Sequence, residues 1–240
     1  MEQDPAFHTT RWSRVLAARG VDEPEARRAL AELCGAYWYP LYSFLRRRGH
    51  PAEEAADLTQ GYFAELLEKR FLDDVHPERG KLRSFLLVSL KHYVSHERER
   101  QRSQKRSVRH RAISIDAAEA EQRYRFEPAD PVTPETIYER RWALTVIERA
   151  RARLADEMTA AGKREQYRAL AELISFGRTQ RSEREIGESI GLSEGAVGMA
   201  LLRLRRRLGR LLREEIAHTV HDRSHVDEEL HHLLTVLQEL

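Results

Sequence analysis

At 240 residues the chain has room for one large domain or two small ones. Its 41% hydrophobic residues are enough for real cores, but 33% charged residues exceeds the usual quarter and points to small helical domains with much surface, excluding one deep core. A net charge of +2 says nothing by itself about nucleic acid, one cysteine excludes an intramolecular disulfide framework, and no apolar run approaches about 18 residues, so the expectation is a soluble, cytoplasmic protein without signal peptide or membrane segment.

Almost every periodic segment has helical spacing and none alternates as a strand does, so the expected fold class is all-α. Residues 9–19 and 24–48 read as helices; Pro24 suits a first turn, Gly49 an end, and Pro40 a kink. Cys34 falls in the apolar pattern as a core filler. A third helix starts near Pro51, "HPERGKLR" is a turn, and 82–100 returns to helix through Phe85, Leu86, Leu90 and Tyr93, which closes a compact domain over 7–100. Residues 101–134 begin basic ("RQRSQKRSVRHR"), turn acidic and end in "EPADPVTPE", the composition of a flexible linker. Helical periodicity resumes over 135–160, 164–176, 182–190 and 193–215, a second domain at 135–216. The remainder, 217–240, is an extension with a polar break near 222–226 and one more amphipathic helix through Val226, Leu230, Leu233, Leu234 and Leu237. That helix must bury its face on either domain or on a partner; the pattern does not choose.

The strongest pattern is "SEREIGESIGLSEGAVGMALLRLRRRL", residues 182–208. Ser182 caps a helix with Glu185 completing a capping box. Small Gly187 permits a close helix crossing, Gly191 sits where the turn needs a positive φ, and Ser193 caps a second helix that Val197 and Leu201 pack back. This is the spacing of a helix-turn-helix. The second helix then exposes Glu194, Gly195, Gly198 and Met199 early and Arg203, Arg205, Arg206, Arg207 and Arg210 later. Base edges are read from the start of such a helix, and arginines neutralise phosphates. No catalytic set, Walker loop or CxxC occurs, so neither enzyme nor cofactor is expected. His218, His221 and His225 recur at helical turns but lie at a polar break without cysteine, so no metal is expected either.

Taken in order, "DLTQGYFAELL", "RGKLRSFLLVSLKHYVSHERER" and the helix-turn-helix ending in "LLRLRRRLGRLL" resemble an extracytoplasmic-function (ECF) RNA polymerase sigma factor, over residues 9–215. The resemblance implies that 7–100 is sigma domain two, which binds the β′ clamp helices of core polymerase and captures the −10 promoter element. It implies that 135–216 is sigma domain four, which reads the −35 element and touches the β flap, and that the linker threads the RNA exit path; a solvated tether is the alternative. Core polymerase binding falls to Glu54, Asp57, Leu58, Gln60 and Phe63. The −10 element falls to Phe85, Lys91, His92, Tyr93, Arg98 and Arg100, where aromatic surfaces and cations suit unstacked bases and phosphates; Phe85 and Tyr93 equally have the spacing of core residues. The −35 element falls to Ser193, Glu194, Gly195, Gly198, Met199, Arg203, Arg205 and Arg206. A helix-turn-helix regulator acting without polymerase is the alternative function.

Family members carry acids where this chain has Ala56 and Gly61, removing two charge-assisted contacts of about 1.5–3 kcal/mol each when desolvated. Thr59 is expected on the same exposed face, where phosphorylation would restore about −1.5 to −2 charges. The chain therefore looks like the subgroup associated with Hanks-type Ser/Thr kinases, with Thr59 as the phosphorylation switch; Thr10, Ser84 and Ser89 are further hydroxyls open to modification.

Overall fold

The computed structural model describes residues 24–68, 81–103, 117–125, 132–174, 181–220 and 222–238. Their secondary structure is all-α: α1 (Pro24–Arg47), α2 (Ala52–Glu68), α3 (Leu82–Ser103), α4 (Ala117–Arg125), α5 (Pro134–Ala160), α6 (Arg164–Ile174), α7 (Glu183–Ile190), α8 (Glu194–Ala217), a 3-10 turn at Arg223–His225, and α9 (Val226–Gln238). The helix expected at 9–19 lies outside the described residues. Helix α1 runs on through Pro40 and ends on Arg46 and Arg47, cations placed at its negative dipole end. Gly49, at φ 89°, then turns the chain so that the His50 N–H reaches the Leu45 carbonyl at 3.2 Å.

The chain divides into two compact units, residues 1–145 with 216–240, and residues 146–215. The sequence reading instead groups 135–216 and leaves 217–240 apart. The reason for the difference lies in side chains far apart in sequence. In the first unit Trp38, Tyr42, Phe44 and Leu45 of α1, Tyr62, Phe63 and Leu66 of α2, Leu86, Leu90 and Val94 of α3, Tyr138 and Trp142 of α5, and Leu233 of α9 are all buried. Cys34 joins them, and burial pushes its thiol up to about 12. Tyr62 and Ser89 hydroxyls meet at 2.5 Å between α2 and α3, and the Tyr138 hydroxyl donates to the Arg83 carbonyl at 2.7 Å between α5 and α3.

Around Arg83 a buried ion cluster ties α3, α5 and α9 together. Its guanidinium bonds Glu229 (Nε to Oε2, 2.8 Å) and Glu139, and its plane lies 5.1 Å from the Trp142 ring. Lys81 reaches Glu229 at 2.6 Å and Glu228 at 2.9 Å, while His232 Nε2 lies 3.0 Å from Glu139. Glu229 is only 1% exposed, so its charge depends on these cations. The C-terminal helix is thus part of the first unit, seated on the residues that open α3.

The expected linker contains an ordered helix. Glu121 of α4 takes a two-pronged guanidinium from Arg46 (2.9 and 3.1 Å) and the Tyr42 hydroxyl at 2.7 Å. Arg46 lies over the Tyr124 ring at 4.9 Å, Arg123 over Tyr39 at 5.8 Å, and Ala120 is buried. Residues 117–125 therefore fold back on α1, and they also pack on α2.

Candidate functional site

In the second unit, α7, a turn and α8 form the expected helix-turn-helix. Ser182 Oγ accepts the Glu185 N–H at 3.2 Å and the Glu185 carboxylate accepts the Ser182 N–H at 2.7 Å, which holds that carboxyl below its usual range. Gly191 lies at φ 70°, ψ 29°, in the left-handed region, and the Leu192 N–H donates to Gly187 O at 2.9 Å. A Cβ at Gly187 would stand 2.6 Å from the Leu192 carbonyl oxygen and 3.1 Å from Val197 Cγ2, so only glycine lets the turn close on α8. Ile186, Val197 and Leu201 are fully buried, while Ile190 and Leu192 are half-buried at the margin. Ser193 Oγ accepts the Ala196 N–H at 3.3 Å and so caps α8. Because a backbone carbonyl cannot swing aside as a side chain can, Gly187→Ala is expected to cost about 1–3 kcal/mol. The melting temperature of the second unit, followed by an amide probe at Ile186, checks this.

Helix α8 has two sides. Val197, Leu201, Leu204, Leu208 and Leu211 form its buried stripe. At 100° per residue, Gly195, Met199, Arg203, Arg206 and Arg210 fall opposite that stripe, and each is exposed. Ser193 and Glu194 are also exposed, and Gly198 is half-buried. Two of the arginines expected at phosphates also make contacts within the protein. Arg207 pairs with Glu157 of α5 at 2.8 Å and with Glu214 at 3.2 Å, and Arg205 donates to the Leu173 carbonyl near the end of α6 at 3.1 Å. Arg153 likewise bonds Glu215 at 2.7 Å. Arg203 and Arg206 have no ion-pair partner among the described residues.

On α3, the residues assigned to the −10 element separate. His92 is exposed. Lys91 is held by Glu135 at 2.8 Å and lies 5.5 Å from the Phe44 ring centroid, Arg100 pairs with Glu97 at 3.0 Å, and Phe85 is half-buried. Arg98 bonds His50 Nε2 at 3.3 Å; arginine only donates, so Nδ1 carries the imidazole proton toward Glu54, 3.0 Å away. His50 thereby ties the start of α2 to α3. Tyr93 packs its ring 5.8 Å from that of Tyr62 and sets its hydroxyl over Gly61, and burial pushes that hydroxyl up to about 12.

The polymerase-facing reading of α2 needs correction. Glu53, Glu54 and Asp57 form its exposed acidic edge, and Gln60 is half-buried. Leu58 and Phe63, assigned to the interface, belong to the core, as does Ala56. Thr59 is not on an exposed face at all: it is 0% exposed, in line with Ala55, Tyr62 and Leu66, and its hydroxyl donates to the Ala55 carbonyl at 2.7 Å. Of the other hydroxyls, Ser89 is buried, Ser84 is exposed, and Thr10 lies outside the described residues. Gly61 is glycine for a packing reason: a Cβ there would land on the Tyr93 hydroxyl. Gly61→Ala is therefore expected to destabilise by about 1 kcal/mol through the displaced tyrosine. In a Tyr93→Phe background, with the obstructing oxygen gone, the same change is expected to stabilise by about 1 kcal/mol through helix propensity. Urea midpoints of the four proteins give the sign of each step.

No described helix is long and apolar enough to cross a membrane. No family model, curated protein or solved structure matches the chain.

Proposed function

We propose that the chain is an RNA polymerase sigma factor of the ECF type, a binding protein without a reaction of its own, acting in the cytoplasm on core polymerase and promoter DNA. The outward face of α8 carries the reading. It begins on a doubly capped helix-turn-helix and continues as exposed Arg203, Arg206 and Arg210, the arrangement that places a helix start against base edges and its later cations against phosphates. The order of the α2, α3 and α8 motifs supports polymerase as the partner, with the acidic edge Glu53, Glu54 and Asp57 offered to a basic surface of the β′ clamp helices. His92, Arg98 and Arg100 are exposed on α3 and would meet an opened −10 strand. Charge gating by a Ser/Thr kinase at Thr59 requires α2 to leave its bed first, because the hydroxyl faces the core.

The test is transcription in vitro with core polymerase on a promoter library, with and without the chain. Chain-dependent start sites, together with β and β′ retained on immobilised protein, are expected. A dimer bound to a palindromic site, with no polymerase retained, would establish the regulator reading instead.

A further inference from the structure

From the outward face of α8 we infer that this helix-turn-helix reads thymine methyl groups, with Met199 as the residue that contacts them. The inference rests on the DNA-binding reading above and specifies what that site recognises. Opposite the buried stripe, the first two turns present Gly195 and Met199, with Leu202 beside them; the later turns present Arg203, Arg206 and Arg210. Met199 is 52% and Leu202 40% exposed. The face is thus apolar where base edges are met and cationic where phosphates are met, a complement to one occupant, the major groove of duplex DNA.

Side chains that read guanine or adenine do so with paired donors or a donor and an acceptor, which arginine, lysine, asparagine and glutamine supply. None of these four stands between Ser193 and Leu202. The hydrogen-bonding side chains there are Ser193, whose oxygen already accepts the capping bond, and Glu194, an acceptor-only carboxylate that suits amino groups such as that of cytosine and makes no bidentate donor–acceptor pair. What remains is apolar contact, and the apolar feature of the groove is the thymine 5-methyl group. The two glycines point the same way. A Cβ at Gly195 would meet nothing within 4 Å, and one at Gly198 only Glu183 Oε2 at an ordinary 3.5 Å. The protein's own packing demands neither, although both weaken the helix. Their effect is to leave the backbone bare beside Met199, so that the helix can sit low enough for a thioether to reach a methyl group.

The experiment uses the full chain, alone and assembled with core polymerase, to select sites from a randomised 20-base-pair duplex library. Each thymine in the selected site is then replaced by deoxyuridine, which removes only the methyl group. At one thymine or more, this is expected to weaken binding of the wild type about three- to tenfold, the size of one buried methyl contact. Met199→Ala, which changes an exposed side chain, is expected to bind the thymine and deoxyuridine duplexes equally. Arg206→Gln is expected to weaken both duplexes alike and lower the salt dependence. A selected site without thymine, no effect of any replacement, or a Met199→Ala protein that keeps every deoxyuridine effect would each overturn the inference while leaving DNA binding intact. Selection of no sequence, with or without polymerase, would overturn both.

Discussion

Thr59→Glu is expected to unfold the first unit or bring it close to unfolding, whereas Thr59→Val is expected to fold with a change within about 1 kcal/mol. The native hydroxyl is fully buried and donates to the Ala55 carbonyl one turn back, a bond that satisfies it without any partner outside the helix. Valine fills the same space and loses that one bond. Glutamate carries two more heavy-atom positions into a bed already filled by Tyr62, Phe63 and Leu66, which costs about 1–3 kcal/mol in overpacking. It also buries a carboxylate, a penalty of several kcal/mol even after relaxation. The sum is a large fraction of the roughly 5–15 kcal/mol that holds a typical domain. Trp38 and Trp142 are buried in the first unit, so tryptophan fluorescence reports its unfolding, and urea midpoints for the two variants test the expectation. A Thr59→Glu protein that stays folded and binds core polymerase more tightly than the wild type would show instead that α2 opens readily and that charge at this position is functional.

Helix geometry places Thr59 on the buried side of α2. Residues seven apart on a helix point within about 20° of one another, so Thr59 shares its direction with Leu66, and residues four and three away are Ala55 and Tyr62. Thr59 is polar by type but stands at an apolar position. Phe63 shares the apolar spacing of Tyr62 and Leu66, and it is buried with them away from any surface a partner could touch. Other features were legible because the physics behind them is local. Every helix boundary assigned after residue 24 lies within about two or three residues of the observed one, the scatter common to helix ends. The capping box, the αL glycine and the small residue at the helix crossing all stand as spacing and residue type demand.

Helix α4 was hidden by composition. "AAEAEQRYR" contains good helix formers, but its low apolar content and the prolines after it read as linker, and only the distant Arg46 and Tyr42 give Glu121 its partners. The seat of α9 was illegible for the same reason at longer range. Glu229 and Arg83 are 146 residues apart, and nothing in an amphipathic pattern names the surface on which its apolar face will lie.

Loss of that seat is the second large effect. Glu229→Ala is expected to destabilise the first unit by about 3–5 kcal/mol, because it leaves Arg83 buried with Glu139 alone. Its neighbour Glu228 bonds only the partly exposed Lys81 from the surface, and Glu228→Ala is expected to change stability by less than about 1 kcal/mol. The two adjacent carboxylates therefore separate burial from charge. Burial by itself would push the Glu229 carboxyl up, but Arg83 and Lys81 bond it and hold it below the usual value of 4.5. With the folded value depressed, the unfolded chain binds the extra proton first, so the contribution of Glu229 is complete above about pH 4.5 and disappears as the pH falls through the folded value. The wild type is accordingly expected to lose stability on acidification below about pH 4.5 more steeply than Glu229→Gln, with tryptophan fluorescence in urea at a series of pH values as the measurement. Replacing the pair together, Arg83→Met with Glu229→Leu, is expected to recover most of the loss seen with Glu229→Ala, since matched apolar side chains incur no desolvation of charge. If the double variant is as stable as the wild type yet lets α9 exchange its amide protons faster, the ion cluster serves to fix where the C-terminal helix lies and adds little to how firmly the unit holds.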